Sequence, residues 1–285
     1  MRISGWVLVG VVGLAAMVAG AQSAPAAQSV PTQQSVETEL RQPFLMLRGM
    51  YAGNSLSFDA QGNLIGSANP WPFGLSGVLV KSVKLTDSNL TVTGARAGLL
   101  FQDLPVVKGR QQLIAEPVDR KGKSRVTVTI ARDLNHPEAL EPAIARVFSI
   151  GIDGSLAEAA PDYWRDWLID NLHPELKPPK SAAPATGSGF QAKVRGKVSA
   201  PELIYDPNPT FTDAARANHL SGIVVIGLIV DDNGSAQSVK IVRPLGMGLD
   251  EAAMLVVSHY RFKPAMLNDQ PVPVKINIEV NFRVY

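Results

Sequence analysis

The stretch IVVIGLIVDDNG at residues 223–234 decides the fold of the C-terminal part of this chain. Residues 223–230 are apolar without interruption, which is typical of a strand that is flanked on both sides. The Asp-Asp-Asn-Gly sequence that follows is a hairpin signal, because Asn-Gly favours the positive φ angles of a tight turn. We therefore predict a β-hairpin whose second strand comprises residues 238–242.

A helix and a long strand follow this hairpin. From Leu249 onward, apolar residues recur at the spacing of one helix face, and Phe262-Lys263-Pro264 ends the helix. This buried stripe consists of Leu249, Ala252, Ala253, Val256, Val257 and Tyr260. Asp250 and Glu251 lie in the first turn, where the helix dipole favours negative charge. The sequence VPVKINIEVNFRV at residues 272–284 then alternates apolar and polar residues, which predicts a strand with one buried face.

The order of these elements determines the order of the strands. A hairpin followed by one helix across the sheet returns the chain beside the first strand, which gives an antiparallel three-stranded sheet in the order second-first-third. The final strand therefore lies at an edge. At ~3.3 Å per residue it would be ~40 Å long, longer than its neighbour, and we expect part of it to lack a partner strand. Such an edge is either an aggregation hazard, counteracted by its charged residues, or a surface that binds an extended peptide.

The N-terminus has the pattern of an export signal. Arg2 is the only charged residue before Glu37, residues 5–20 are almost wholly apolar, and Ala19-Gly20-Ala21 places small residues where a signal peptidase cleaves. Residues 1–21 are predicted to be a signal peptide. An uncleaved membrane anchor is the alternative, although the apolar run is shorter than the ~20 residues of a usual spanning helix. Both interpretations predict that the rest of the chain is exported.

Two segments of low complexity divide the rest of the chain. Residues 22–36 contain no charge and little bulk, which predicts a disordered tether. Residues 178–189 are rich in Pro, Ala, Gly and Ser, which predicts a linker. The predicted domains are residues 37–177, a β-rich domain of unknown function with two helices near residues 137–150 and 161–172, and residues 190–285. The predicted fold class is α+β.

Composition excludes several classes of function. Lys and Arg number 27 against 25 Asp and Glu, a net charge of +2 without basic clusters, which argues against nucleic-acid binding. The chain has no cysteine, so it has no disulfide, thiolate metal site or cysteine nucleophile. Its four histidines are scattered, and it contains no phosphate loop, dinucleotide-binding glycine motif or Gly-x-Ser-x-Gly elbow. We predict no metal, no cofactor and no enzymatic activity.

Several short motifs occur together between about Val198 and Tyr285. They are Tyr205-Asp206-Pro207-Asn208-Pro209, Ala214-Ala215-Arg216, Gly222-x-Val224, Asp231-Asp232-Asn233-Gly234, Leu249-Asp250-x-Ala252-Ala253, Arg261-Phe262-Lys263-Pro264-Ala265, Pro271-Val272 and Asn281-Phe282-Arg283. In this combination the region, roughly a third of the chain, resembles the C-terminal domain of the TonB family of periplasmic energy transducers.

The resemblance implies a binding role for the final strand. In that family the domain contacts TonB-dependent outer-membrane transporters and pairs with an extended segment at their N-terminus by strand addition. It therefore implies a protein partner of this kind, or another envelope protein, on the edge from Lys275 to Arg283. The residues that it assigns to partner binding are Lys275, Asn277, Glu279, Asn281 and Arg283.

Two differences from the family bear on the choice between two functions. Members that couple to the proton motive force keep a membrane helix with a His after a Ser, and residues 5–20 contain no His. Members also have a long Pro-rich, charged spacer, whereas residues 178–189 form a short linker. We therefore favour a periplasmic adaptor, with a TonB-type energy transducer anchored at the inner membrane as the alternative. A soluble mature form that begins near Gln22 would favour the adaptor, and a homodimer remains open.

Overall fold

The computed structural model describes residues 30–104, 111–119, 124–177 and 198–283. The predicted signal peptide or anchor (1–21) and the predicted linker (178–189) lie outside these residues, so both stay predictions. Within the described ranges, no helix is long and apolar enough to cross a membrane.

The N-terminal part is built on a seven-stranded sheet. Its strands are β1 (Leu45–Leu47), β2 (Ser55–Phe58), β3 (Gly77–Leu85), β4 (Asn89–Asp103), β5 (Gln111–Pro117), β6 (Arg125–Ala131) and β7 (Phe148–Ile150). The order is β2-β6-β4-β3-β1-β7, with β5 paired to β4. All pairings are antiparallel except that between β2 and β6. The long strand β4 therefore holds the centre of the sheet together.

Helices cover both faces of this sheet. They are α1 (Gln33–Leu40), α2 (Leu140–Val147), α3 (Gly154–Ala159) and α4 (Asp162–Asn171). The buried side chains of α1 and α2 join one hydrophobic cluster on one face, and those of α3 and α4 join a second cluster on the other. α2 and α4 lie within the two segments that the sequence predicted to be helical.

Helix α1 begins inside the segment that the sequence assigned to a tether. Thr32 caps the helix through a capping box with Ser35, and Val36 and Leu40 are buried against the sheet. A capping box satisfies backbone N–H groups that the first turn leaves free, and the apolar pair at i, i+4 supplies the contact with the sheet. Residues 33–36 are therefore ordered, although their composition is that of a disordered segment.

The C-terminal part contains the remaining strands and two helices. These are β8 (Glu202–Tyr205), α5 (Asp213–Ala217), β9 (Gly222–Val230), β10 (Ala236–Arg243), α6 (Leu249–Val257), β11 (Arg261–Lys263), β12 (Ala265–Leu267), β13 (Gln270–Val272) and β14 (Val274–Phe282). β9, β10 and β14 form an antiparallel sheet in the order β10-β9-β14, which confirms the predicted hairpin, helix and edge strand and their order. The fold class α+β is likewise confirmed.

The predicted length of the final strand was wrong. β14 begins after Pro273 and has nine residues, each opposite a residue of the nine-residue β9, so no part of it extends beyond its neighbour. Val272 belongs instead to a separate hairpin between β12 and β13. Proline has no N–H to donate to a ladder, so the alternating pattern continues through residue 273 while the strand does not.

The two parts of the chain share one hydrophobic core. Phe101 of β4 and Trp164 of α4 lie in the same buried cluster as Ile226, Leu228 and Val257 of the C-terminal part. The rings of Phe101 and Trp164 stack with centroids 5.4 Å apart. The C-terminal part therefore lies on the same face of the N-terminal sheet as α3 and α4, and it covers the part of that face that these helices do not cover.

The loop between β10 and α6 joins the two parts by backbone hydrogen bonds. The N–H of Phe101 donates to the carbonyl of Leu245 at 3.1 Å, and the N–H of Met247 donates to the carbonyl of Leu99 at 2.8 Å. Gly246 lies between them with a φ of +107°, and a Cβ at this position would be 2.2 Å from the Leu99 carbonyl oxygen. This approach requires glycine.

The buried face of α6 is tested by two matched substitutions. Val257→Asp places a carboxylate at a fully buried position (0% exposed), whereas Leu255→Asp places the same group at a position that is 67% exposed on the same helix. We expect Val257→Asp to lower the free energy of unfolding by about 3 kcal/mol or more, and Leu255→Asp by less than about 1 kcal/mol. Urea denaturation followed by circular dichroism measures both, and equal losses would contradict the assigned helix face.

Candidate functional site

The three-stranded sheet has two edges that differ in their surroundings. Helix α4 packs beside β10, where Lys240 Nζ lies 2.6 Å from Asp166 Oδ2. Arg243 at the end of β10 forms a second ion pair, with Asp103 of β4. β14 pairs with β9 on one side, and on its other side no strand of the described residues pairs with it. The N-terminal part therefore lies at the β10 side of the sheet, and β14 is the free edge.

The direction of the backbone groups of β14 follows from the hairpin. The N–H of Asp231 donates to Ser235 across the β10 side, at 3.0 Å. Backbone groups alternate in direction along a strand, so Val230 and every second residue before it direct their N–H and C=O groups towards β14. Their partners, from Val274 to Phe282 in steps of two, direct theirs back towards β9. The intervening residues direct both groups outward, and these residues are Lys275, Asn277, Glu279 and Asn281.

The side chains of these four residues share one face of the sheet. All four are exposed, as is Arg283 immediately after the strand. On the opposite face Val280 and Phe282 are buried, and Ile276 and Ile278 are half-buried. The structure thus brings the five residues named by the sequence to one exposed edge. In the described ranges, none of the ion pairs includes Lys275, Glu279 or Arg283.

Two grooves lie near β14. A groove of about 510 Å³ lies between α4 and the sheet, and Asp162, Asp166 and Lys275 contribute to its lining. A smaller groove of about 340 Å³ lies at the end of β14, where Pro209 and Phe211 approach Phe282. A chain segment that extends past the C-terminal end of β14 would therefore find a concave surface.

Two buried carboxylates support the junction between the two parts, and sequence reasoning missed their role. Asp250 is fully buried, and its carboxylate accepts hydrogen bonds from the N–H groups of Leu245 and Gly246, each at 2.8 Å. Asp250 thereby holds the loop that pairs with β4. The pattern of the helix alone indicated only an acid at the positive end of a dipole.

Glu251 forms a direct link to the N-terminal part. Its Oε1 accepts a hydrogen bond from the N–H of Gly74 at 2.8 Å and another from Nε1–H of Trp164 at 3.0 Å. Its Oε2 is buried and has no hydrogen-bond partner among the described residues. Because Gly74 is 177 positions away in the chain, no local sequence signal identifies this contact.

Burial changes the protonation of both carboxyls. Loss of solvent, with the charge of Glu251 as a smaller contribution, raises the pKa of Asp250 to about 8. Loss of solvent also raises the pKa of Glu251, and the hydrogen bonds from Gly74 and Trp164 oppose this effect. A protonated carboxyl at this junction therefore favours the folded state.

The described residues contain no gathering of metal-ligating groups. Nowhere within the ranges given above do three or more His, Asp or Glu side chains come close enough to hold a metal ion. The edge of β14 instead offers backbone donors and acceptors with alternating side chains, which is the chemistry of strand pairing.

Comparison with known proteins identifies the class of this C-terminal fold. The family described as the Gram-negative bacterial TonB protein C-terminal region matches residues 207–284. Those residues form a C-terminal domain of the TonB family. The solution NMR structure of the Pseudomonas aeruginosa TonB C-terminal domain is similar to part of this chain, with 14% sequence identity and a TM-score of 0.25. The similarity covers 30% of this chain and 86% of the Pseudomonas aeruginosa domain. No curated protein matches the chain.

The buried carboxyls predict that stability falls as pH rises. Burial raises the pKa of both carboxyls, so the stability that each contributes is present below about pH 4, where a free carboxyl titrates, and is lost as pH rises through its raised pKa, which is about 8 for Asp250. We expect Glu251→Gln to remove part of this loss. Between pH 5 and 8 the Tm of the wild type should fall relative to that of Glu251→Gln by about 3 °C or more, since 1 kcal/mol displaces Tm by about 2–4 °C.

Glu279→Gln serves as the matched control, because it makes the same chemical change on an exposed strand position. Its Tm should follow that of the wild type throughout this pH range. Scanning calorimetry at a series of pH values measures all three proteins. A constant difference between wild type and Glu251→Gln would show that Glu251 does not titrate in this range.

Proposed function

We propose that this chain is an exported adaptor protein of the cell envelope that binds a protein partner by strand addition to β14. The observation that carries the proposal is the row of outward backbone groups at Lys275, Asn277, Glu279 and Asn281, on a strand with no partner among the described residues. Unpaired N–H and C=O groups on an edge bind an extended chain through main-chain hydrogen bonds, and side chains add preference.

The partner is proposed to be an extended segment of an envelope protein, namely the N-terminal segment of a TonB-dependent outer-membrane transporter. The TonB-family domain at residues 207–284 supports this choice. The exposed face of β14 carries both charge signs and the other face is apolar, which fits a partner strand with alternating polar and apolar residues. The proposal includes no nucleic acid, cofactor or catalytic step.

The N-terminal part supports the adaptor function over energy transduction. It shares a core with the TonB-family domain and binds the loop next to β10, so it presents β14 on a folded unit. The apolar segment at residues 5–20 contains no histidine, whereas the transducers that use the proton motive force have one there. We therefore propose a periplasmic location with residues 1–21 removed, and inner-membrane attachment through them as the alternative.

Proline at the edge tests strand addition directly. Asn277→Pro removes an outward N–H that the β9 ladder does not use, so the fold should persist. Because the partner loses a hydrogen bond and meets the proline ring, we expect its affinity to fall by about tenfold or more. The ligand is a synthetic peptide with the sequence of a transporter N-terminal segment, and isothermal titration calorimetry measures binding.

Asn277→Ala is the matched control, since it removes the side chain and keeps the N–H. Its affinity should stay within about threefold of the wild type, because side chains here set preference only. Glu279→Pro and Glu279→Ala repeat the comparison two residues along the same edge. Folded proline variants that bind the peptide as tightly as the wild type would contradict strand addition at β14.

A further inference from the structure

A groove that the proposed function does not use lies beside α6. Its volume is about 560 Å³, and it runs between one side of α6 and the chain segment 205–212. Leu255, which is 67% exposed, and the half-buried Pro207 contribute to its apolar lining. None of its lining residues belongs to β14. The groove is therefore a separate concave surface of the C-terminal part.

The two walls of this groove run in opposite directions, which gives it two different ends. At one end Tyr205 of β8 pairs with Arg261 of β11, close to His259 after the C-terminal end of α6. At the other end Oγ1 of Thr212 donates a hydrogen bond to the carbonyl of Met247, just before α6 begins, at 2.6 Å. The groove thus has one basic end, formed by Tyr205, His259 and Arg261.

The basic end has donors that the fold leaves for a ligand. Nδ1 of His259 lies 2.8 Å from the carbonyl of Leu255, which can only accept, so Nδ1 carries the hydrogen and Nε2 is left for a ligand. Nη1 of Arg261 donates to the carbonyl of Tyr260 at 2.9 Å. The ion pairs of the described ranges include neither His259 nor Arg261. A guanidinium without a carboxylate partner favours an anion.

Two acids lie near the basic end without pairing with it. The pKa of Asp231 is lowered mainly by the hydrogen bond from the N–H of Ser235 and to a smaller extent by the charge of Arg261. Asp206 follows Tyr205 and is exposed. In the described part of the chain, neither acid forms an ion pair. The guanidinium therefore stays available to an anionic ligand.

The size and the lining of the groove fit a small molecule better than a protein. Sites for small ligands have volumes of about 300–1,000 Å³, mostly apolar walls and a few polar groups. A stable protein interface takes roughly 20–30 residues from each side. Ten residues line this groove. Apolar walls with basic groups at one end are complementary to a molecule that has an apolar chain and an anionic head.

We propose that this groove binds a single-chain amphiphile with an anionic head group, of the fatty-acid class. The carboxylate binds Arg261, with His259 beside it, and the hydrocarbon chain lies along Leu255, Val256 and Pro207. Binding removes the exposed surface of Leu255 from water, and each buried methylene of the ligand adds to the affinity. The site goes beyond the proposed function, since it uses no backbone group of β14.

Three ligands with the same hydrocarbon chain test the head group. The purified protein is titrated with decanoate, decanol and decyltrimethylammonium, each in its soluble, micelle-free range, and isothermal titration calorimetry measures the affinities. Because the head group lies at the basic end, we expect decanoate to bind at least about fivefold more tightly than decanol. Decyltrimethylammonium should bind more weakly than decanol.

Two substitutions with matched controls test the two parts of the site. Arg261→Gln should weaken decanoate binding by about fivefold or more and leave decanol within about twofold, whereas Lys84→Gln, which removes an exposed cation on β3, should change neither. Leu255→Gln should weaken both ligands by about threefold or more. Leu134→Gln, at a position that is 62% exposed, should weaken neither. Circular dichroism verifies the fold of each variant.

The position of the ligand is checked by NMR. Decanoate should shift the amide signals of residues 205–212 and 252–261, and shifts confined to other residues would overturn the proposal. Absence of decanoate binding, equal affinities for decanoate and decanol, or an Arg261→Gln variant that binds decanoate like the wild type would each do the same.

Sedimentation with phosphatidylcholine vesicles distinguishes a ligand site from a membrane surface. We expect the protein to stay in the supernatant. A protein that does not bind decanoate, yet sediments with the vesicles unless it carries Leu255→Gln, would assign these apolar side chains to a lipid surface and overturn the proposal.

Discussion

The ladder between β9 and β14 is the constraint on which the proposed function of this chain depends. Successive residues of a β-strand direct their N–H and C=O groups to opposite sides. Along the nine residue pairs between β9 and β14, one of the two sets of β14 groups forms hydrogen bonds with β9. The other set, on Lys275, Asn277, Glu279 and Asn281, is left facing outward. An unpaired row of donors and acceptors either binds water or pairs with another chain. The proposed binding surface is therefore a consequence of the way that the TonB-family sheet is completed.

The N-terminal part affects this surface by covering the other side of the sheet. Ion pairs from Lys240 to Asp166 and from Arg243 to Asp103 fasten β10 and its end to the N-terminal part. Asp250 shapes the adjoining loop, and Glu251 binds Gly74 and Trp164. A sheet with two accessible edges can add a strand at either edge. In this arrangement the N-terminal part lies at the β10 edge, so strand addition is expected at β14. The junction thus leaves β14 as the edge of this sheet that is proposed to bind a partner and that pairs with no second strand of the described residues.

Much of the C-terminal sheet was predictable because its signals are local. An unbroken apolar run, an Asn-Gly turn, a helical stripe and a period-two strand each depend on neighbouring residues, and together they determine the order β10-β9-β14. The alternation of apolar and polar residues alone predicted which side chains of β14 are exposed. The direction of the backbone groups did not, since it depends on the hydrogen bond between Asp231 and Ser235.

The features that sequence reasoning missed depend on contacts between distant residues or on one atom. Pro273 continues the alternation of apolar and polar residues, but β14 begins only after it. A hydrophobicity pattern does not reveal that proline lacks the N–H that a strand ladder needs. The sequence identified Glu251 only as an acidic residue in the first turn of a helix, whereas the fold places Gly74 and Trp164 beside it. Residues 33–36, at the start of helix α1, have the composition of a tether, and only the capping box and the buried Val36 and Leu40 of this helix distinguish them. Tertiary contact decides the role of Glu251 and the burial of Val36 and Leu40, whereas Pro273 acts through one missing N–H.

Residue-resolved amide hydrogen exchange tests the central claim most directly. In the free protein, the outward amides of Lys275, Asn277, Glu279 and Asn281 should exchange fast, while those of Ile276, Ile278 and Val280 are protected by the β9 ladder. Addition of the transporter peptide should slow the first set and leave β10 unchanged. Protection that appears on β10 or elsewhere, with the outward amides of β14 still exchanging fast, would contradict the account.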